Sequence, residues 1–244
     1  MSTLLLRLAG PMQSWGTQSR FTVRDTDLEP SKSGVIGLLC AALGKPRREE
    51  PGDGFPSLRE LAQLKMGVRV DRQGARCVDY HTAGGVHRRG DRYGIAMADG
   101  KPSRTVESRR YYLADADFLV GLEGDKRLLG ELNRALARPV WPLYLGRKSF
   151  VPGVPVHMPD EPPYGPGLRP GRLREVLSTY PWFRDPHRRE EQPETLRLVL
   201  ETDEVKGSEV RRDVPVCFES RQFALRFLTT EFLPLASVVP IVEV

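Results

Sequence analysis

Apolar and polar positions in the first half of the chain predict alternating strands and helices. Residues 1–9 are apolar with little alternation, which indicates a strand buried on both faces. Residues 33–43 form an apolar segment that ends at Gly44 and Pro46, as expected for a buried helix. Further predicted elements are a helix over 57–64 with Ser57 as its N-cap, a hairpin of strands 65–72 and 75–82, strands over 109–113, 117–122 and 143–145, and a helix over 125–137 with Asp125 as its N-cap.

The order of these elements predicts an α+β fold. The succession β-α-β-β-α-β is typical of a ferredoxin-like, or RRM-like, domain, which we assign to residues 1–150. Residues 84–108 have no hydrophobic period, so we interpret them as an insertion that interrupts this domain. Residues 139–170 contain nine prolines, so a linker or wrapping loop is expected there. The remainder, 151–244, is predicted to be a smaller β-rich domain, with a helix over 172–180 and strands over 195–202, 225–230 and 237–244.

Charge is unevenly distributed along the 244 residues. The net charge is +5 and the sequence pI about 9.2. Residues 84–112 carry seven basic and three acidic side chains, and residues 134–150 carry four basic and no acidic ones. Two local excesses of this kind favour a polyanionic ligand, although two solvated surfaces fit the same pattern.

The cysteines and histidines indicate the redox state of the cellular compartment and bear on metal binding. The three cysteines are widely spaced and odd in number, which favours a reducing compartment over a disulfide framework. The start of the chain lacks the features of a signal peptide, and no apolar run is long enough to span a bilayer, so we expect a cytoplasmic protein without a membrane partner. The spacing of histidines and cysteines suits no metal site, and we expect no cofactor.

A turn near the N-terminus and the loop before the first long helix are candidate RNA contacts. The N–H groups at a helix N-terminus attract phosphate, and an aromatic ring beside them can stack on a base. An ordinary buried tryptophan and an ordinary N-cap fit the same residues. The turn supplies Gln13, Ser14 and Trp15, and the loop supplies Ser31, Lys32 and Ser33.

Two later segments combine cations with other groups suited to RNA. In a strand over 109–113, Arg109 and Tyr111 share one face while Arg110 and Tyr112 share the other, so one face presents a cation and a ring. The segment containing Arg147 and Lys148 follows a predicted strand, and its turn is suited to phosphate. A core tyrosine and a basic surface turn are the structural alternatives.

Two other functions stay open on the residues alone. A metal-independent ribonuclease needs a general acid and base, and His81 with Tyr80 or Lys148 is the best candidate set. A protein-interaction module whose basic patches meet acidic partners is the third hypothesis.

Several motifs occur together in an order that resembles a known family. Between residues 3 and about 155, the chain resembles the Cas5 (CasD-type) family of type I-E CRISPR Cascade complexes, within the RAMP superfamily. The motifs are Gly10 with 13–16, Arg24, 30–34 with 37–39, the segment 79–82 that contains His81 and Thr82, 109–116, and 145–149 with Pro152. Within these motifs, the further candidate RNA contacts are Arg24, His81, Thr82 and Arg110.

The resemblance implies a non-catalytic subunit that binds and caps the 5′ handle of the guide RNA (crRNA) in antiviral defence. It implies two protein partners, the large subunit and the terminal backbone subunit of Cascade. It also implies that the insertion is a β-hairpin thumb, with Arg88, Arg89, Arg92, Tyr93 and Arg104 as its RNA contacts. Type I-C relatives that cleave RNA use an adjacent Lys-His pair, and this sequence has no Lys-His dipeptide.

Overall fold

The computed structural model describes residues 1–16, 19–20, 22–50, 52–84, 105–184, 192–203, 205, 209–238 and 241–243. The strands are β1 Ser2–Ala9, β2 Met12–Gln13, β3 Ser19–Arg20, β4 Val23–Arg24, β5 Lys65–Arg72, β6 Ala75–Ala83, β7 Val106–Ala114, β8 Asp117–Gly124, β9 Leu168–Pro170, β10 Trp182–Arg184, β11 Thr195–Thr202, β12 Glu209–Cys217, β13 Gln222–Pro234 and β14 Ile241–Glu243. The helices are α1 Lys32–Leu43, α2 Leu58–Gln63, α3 Lys126–Ala137, α4 Leu173–Thr179 and α5 Leu235–Val238. Within these ranges, no helix has the length and apolarity needed to cross a membrane.

A seven-stranded antiparallel sheet organises the molecule. Its strand order is β12-β13-β11-β5-β8-β1-β9. Alternate residues of β1 belong to two hydrophobic clusters on opposite faces of the sheet. Leu4 and Leu6 pack in the cluster that contains α1 and α3, whereas Leu5 packs in the cluster that contains α4. The apolar character of β1 therefore reflects burial on both faces, as the sequence predicted.

Helices α1, α2 and α3 begin at residues whose side chains cap them. Ser31 accepts a hydrogen bond from the amide of Gly34 and starts α1, and Ser57 forms a capping box with Glu60 at α2. Asp125 caps α3. The caps predicted at Ser57 and Asp125 are confirmed, and α1 begins one residue earlier than predicted.

Helix α4 lies very close to the other face of the sheet. A Cβ atom at Gly67 would be 2.8 Å from a methyl carbon of Leu177, and one at Gly121 would be 2.7 Å from a methyl carbon of Leu173. Two neighbouring strands thus use glycine to admit the leucines of α4.

The hairpin predicted for β5 and β6 does not form. Strand β5 pairs with β8 and β11, whereas β6 pairs with β7. The chain leaves the main sheet at Gly74, whose φ is +70° and where a Cβ would be 2.4 Å from the carbonyl oxygen of Ala114. Strands β2, β7, β4 and β3 form a second sheet, to which β6 is added through β7.

Other expectations also need correction. Residues 143–145 do not form a strand. The Leu145 amide donates to the carbonyl of Phe150, and β9 takes the place beside β1 in the sheet. Strand β12 was not predicted. The boundary expected near residue 150 does not interrupt the sheet, because β11 pairs directly with β5.

Candidate nucleic-acid interface

Strands β4, β7 and β6 form a ribbon with two distinct faces. Residues directly opposite one another on paired strands share a face. One row across the ribbon is Arg24, Arg110 and Asp79, and we call its side the arginine face. The neighbouring row is Val23, Arg109 and Tyr80, and we call its side the tyrosine face.

Three arginines concentrate positive charge on the arginine face. Partial burial lowers the pKa of Arg147, and the charges of Arg110 and Arg24 lower it further. Burial and Arg24 likewise lower the pKa of Arg110, while Asp79 opposes both shifts. The guanidinium groups therefore repel one another, and an anion bound between them would relieve that repulsion.

The turn that carries Arg147 is held by the N-terminal turn. Gly146 has φ +94°, and a Cβ there would be 1.8 Å from the carbonyl oxygen of Ser14. The Ser14 amide donates to the carbonyl of Leu145 over 3.0 Å, and the Ser14 hydroxyl donates to the carbonyl of Tyr111. The Arg147 guanidinium also donates to Tyr111, over 2.8 Å. Motifs 130 residues apart thus meet at this site.

Gln13 and Trp15 lie beneath this site and not on it. The Trp15 side chain is 1% exposed, and its indole N–H donates to the Gln13 amide oxygen. The Gln13 amide nitrogen donates in turn to the carbonyls of Leu8 and Ala116. A base cannot stack on an enclosed ring, so the predicted stacking contact is corrected to a structural brace.

The N-terminus of α1 is likewise closed. The Lys32 amide donates to a carboxylate oxygen of Asp213 over 2.8 Å, and the Lys32 ammonium bonds to both oxygens of Glu201. Arg226 binds Asp213 in turn. Ser31 is buried as the cap, and Ser33 is half-buried. Protein carboxylates occupy the position predicted for phosphate, so this end of α1 binds β11 and β12.

The remaining predicted contacts are distributed around the ribbon. Arg109, Thr82 and Lys148 are exposed, and His81 is half-exposed with its Nδ1 3.3 Å from Asp79. The predicted thumb contacts Arg88, Arg89, Arg92, Tyr93 and Arg104 lie outside the described residues.

The accessible tyrosine of the ribbon is Tyr80, which the sequence analysis did not include among the RNA contacts. The guanidinium of Arg76 covers one side of the Tyr111 ring, 4.5 Å from its centre, and bonds to Asp25. Tyr80, by contrast, is 60% exposed. Side chains alternate along a strand, so Arg76 and Tyr80 lie on the same face of β6. The pairing of β6 with β7 then places Tyr80 beside Arg109 on that face.

The ribbon offers cations and rings without a metal centre. Among the residues that the structure describes, no three histidine, cysteine or acidic side chains come together as a metal site. Guanidinium groups and exposed rings are side chains that contact phosphates and bases in RNA-binding proteins.

Comparison with known proteins identifies the family. The family model described as CRISPR-associated protein (Cas_Cas5) matches residues 3–229. The chain belongs to the Cas5 family.

Individual relatives agree with this assignment. The chain is 37% identical over 162 residues to the CRISPR system Cascade subunit CasD of Escherichia coli (strain K12). The aligned region covers 61% of this chain and 66% of that subunit. It resembles a solved structure titled "Crystal structure of Cas protein" at 44% identity and TM-score 0.72, with 98% of both chains covered. It also resembles a chain of a "CRISPR RNA-guided surveillance complex" at 36% identity and TM-score 0.73, over 97% of this chain and 92% of that one.

Proposed function

We propose that this Cas5 protein is a non-catalytic, RNA-binding subunit of a Cascade-type complex and holds the 5′ handle of the crRNA. The observation that carries the proposal is the cluster of Arg24, Arg110 and Arg147, in which the charge of Arg24 disfavours the charged forms of Arg110 and Arg147 in the free protein. The similarity to a Cascade subunit and to a chain of an RNA-guided complex supports RNA as the ligand.

The three arginines suit a phosphate backbone. A guanidinium donates two parallel hydrogen bonds to a phosphate and keeps its charge at any physiological pH. Arg147 is anchored by its bond to the carbonyl of Tyr111, so its position is set before the ligand arrives. Release of counterions from the RNA then adds a favourable, salt-dependent contribution to binding.

The strand order supports a ferredoxin-like unit within the fold. The strands β9-β1-β8-β5 are adjacent in the sheet, with α1 following β1 and α3 following β8. This order fits a β-α-β-β-α-β arrangement in which β6 and β7 are inserted between the second and third strands. The ribbon would be the stem of the thumb, and its outer end would face the large subunit and the terminal backbone subunit of Cascade.

A binding measurement with a charge-matched control tests the proposal. Arg24→Gln/Arg110→Gln removes two charges from the cluster, and Arg59→Gln/Arg127→Gln removes two exposed charges from α2 and α3. We expect the first variant to bind a labelled 5′-handle RNA at least about ten-fold more weakly than wild type, because two phosphate contacts are lost. The control should bind like wild type, and an unrelated RNA of the same length should bind more weakly.

If the two variants lose equal affinity, the cluster is not the RNA site. If handle and unrelated RNA bind equally well, the site binds RNA without recognising the handle.

The geometry of β6 weighs against the alternative, a metal-independent ribonuclease. Tyr80 and His81 are neighbours in a strand, so their side chains project from opposite faces, which disfavours joint action on one phosphate. The second candidate pair is His81 with Lys148. Incubation of repeat RNA with the pure protein in EDTA tests this: we expect intact RNA, and cleavage that His81→Ala abolishes would favour the enzyme.

A further inference from the structure

The tyrosine face of the ribbon carries three exposed apolar side chains. Val23, Val78 and Tyr80 are all exposed large hydrophobic residues, and they come from two strands on either side of β7. Exposed hydrophobic residues that are adjacent, and not scattered, mark an interaction surface.

The register of the strands sets the shape of this surface. Tyr80 lies directly opposite Arg109, and Val23 lies beside Arg109 on its other flank. Strands are about 4.8 Å apart, so the row spans roughly 10 Å, which is the scale of one base and its sugar. The surface therefore presents a ring and a cation within the reach of a single nucleotide.

The Tyr80 ring is held in position although it is exposed. Its hydroxyl donates to the carboxylate of Glu107, which raises the pKa of Tyr80 above its ordinary value. Fixing the hydroxyl limits rotation of the side chain and leaves the face of the ring accessible. The guanidinium of Arg76 covers one side of the Tyr111 ring, so a base cannot stack on that side.

We infer that Tyr80, beside Arg109, is a stacking site for an unpaired base of the RNA whose phosphates bind the arginine face. The inference rests on the proposed function, because it takes the same strand of RNA as the ligand of both faces. Unpaired bases stack on exposed tyrosines in single-strand-binding proteins, with little dependence on sequence. The exposed cation of Arg109 favours this ligand over an uncharged protein surface.

A stacking contact should depend on the bases and not on the backbone. The probes are a short fluorescein-labelled oligouridine and an oligonucleotide of equal length in which every base is replaced by an abasic site. The variants of the full-length protein are Tyr80→Ala, Tyr80→Phe and Tyr80→Leu. Phe232→Ala is the matched control, because Phe232 is 65% exposed on β13, in the other sheet.

We expect Tyr80→Ala and Tyr80→Leu to weaken oligouridine binding by roughly five-fold to a hundred-fold, and Tyr80→Phe and Phe232→Ala to leave it nearly unchanged. Binding of the abasic probe should be equal for all four variants and wild type. Tyr80→Leu keeps an apolar side chain on the sheet, so it separates stacking from packing if Tyr80→Ala folds poorly.

The possible failures are distinguishable. If Tyr80→Leu binds oligouridine as tightly as wild type, the stacking site is refuted, whereas the arginine cluster stands as long as its own variant loses affinity. If the Tyr80 variants weaken both probes equally, Tyr80 does not act through a base. If Arg24→Gln/Arg110→Gln and the Tyr80 variants all bind normally, the proposed function itself is wrong.

Discussion

The N-terminus of α1 and the arginine cluster differ in what neutralises them. Both are cationic or electropositive features, and the sequence predicted phosphate binding at the helix end and at the turn that contains Arg147. At α1, Asp213 accepts from the Lys32 amide and Glu201 binds the Lys32 ammonium. At the cluster, Arg24 disfavours the charged forms of Arg110 and Arg147, Arg110 also disfavours that of Arg147, and Asp79 is the opposing carboxylate.

This difference separates structural from functional motifs. An electropositive helix end that already holds a carboxylate has no capacity left for a ligand, and it links the first helix to distant strands. A cluster of like charges costs free energy in the free protein and recovers it when an anion binds. Substitutions in the two regions should therefore affect either stability or RNA binding, but not both.

Trp15→Ala should be a stability variant. Removing a fully buried indole leaves a cavity, and we expect the free energy of unfolding to fall by about 3–5 kcal/mol. Urea denaturation measures this, with Trp141→Ala as the control, since Trp141 is 44% exposed. RNA affinity per folded molecule should be unchanged. A stable Trp15→Ala protein with weakened RNA binding would return the tryptophan to the interface.

Two glycines of α1 should respond in opposite directions. A Cβ at Gly34 would be 2.9 Å from the Trp15 ring, so Gly34→Ala should destabilise the fold by about 1–3 kcal/mol. A Cβ at Gly37 would meet nothing within 4 Å, so Gly37→Ala should stabilise it by about 0.5–1 kcal/mol. Melting temperatures of the pair report the result. Equal shifts for both would contradict the packing of Trp15 on α1.

Ser31→Ala should cost about 1 kcal/mol, because it removes the hydroxyl that accepts the Gly34 amide. The measurement is again urea denaturation, paired with an RNA titration. The account requires an unchanged affinity, since the Ser31 hydroxyl is engaged within the protein. A loss of RNA binding at full stability would reopen the helix N-terminus as a phosphate site.

Local signals in the sequence predicted local structure well. The buried strand β1, the apolar helix α1, and the caps at Ser57 and Asp125 follow from residue patterns that need no knowledge of distant partners. These local signals did not predict which strands pair with one another. Alternation along β5 and β6 suggested a hairpin, but both partners of β5 lie far away in the chain, in β8 and β11.

Strand β12 and the closed end of α1 escaped prediction for one physical reason. Asp213 is buried in β12 because Arg226 of the next strand neutralises it. A buried charge interrupts the apolar alternation that marks a strand, so β12 resembles a loop in sequence. The carboxylate that closes α1 was therefore hidden in a segment that the pattern assigned to no element.

The salt dependence of RNA binding tests the central claim most directly. The slope of log affinity against log salt counts neutralised phosphates, at about 0.7 for each contact with a single strand. Arg24→Gln/Arg110→Gln should lower the magnitude of the slope by about 1.4 relative to wild type, and Ser31→Ala should leave it unchanged. An unchanged slope in the arginine variant, or an equal fall in Ser31→Ala, would contradict the assignment of phosphate binding to the arginine cluster.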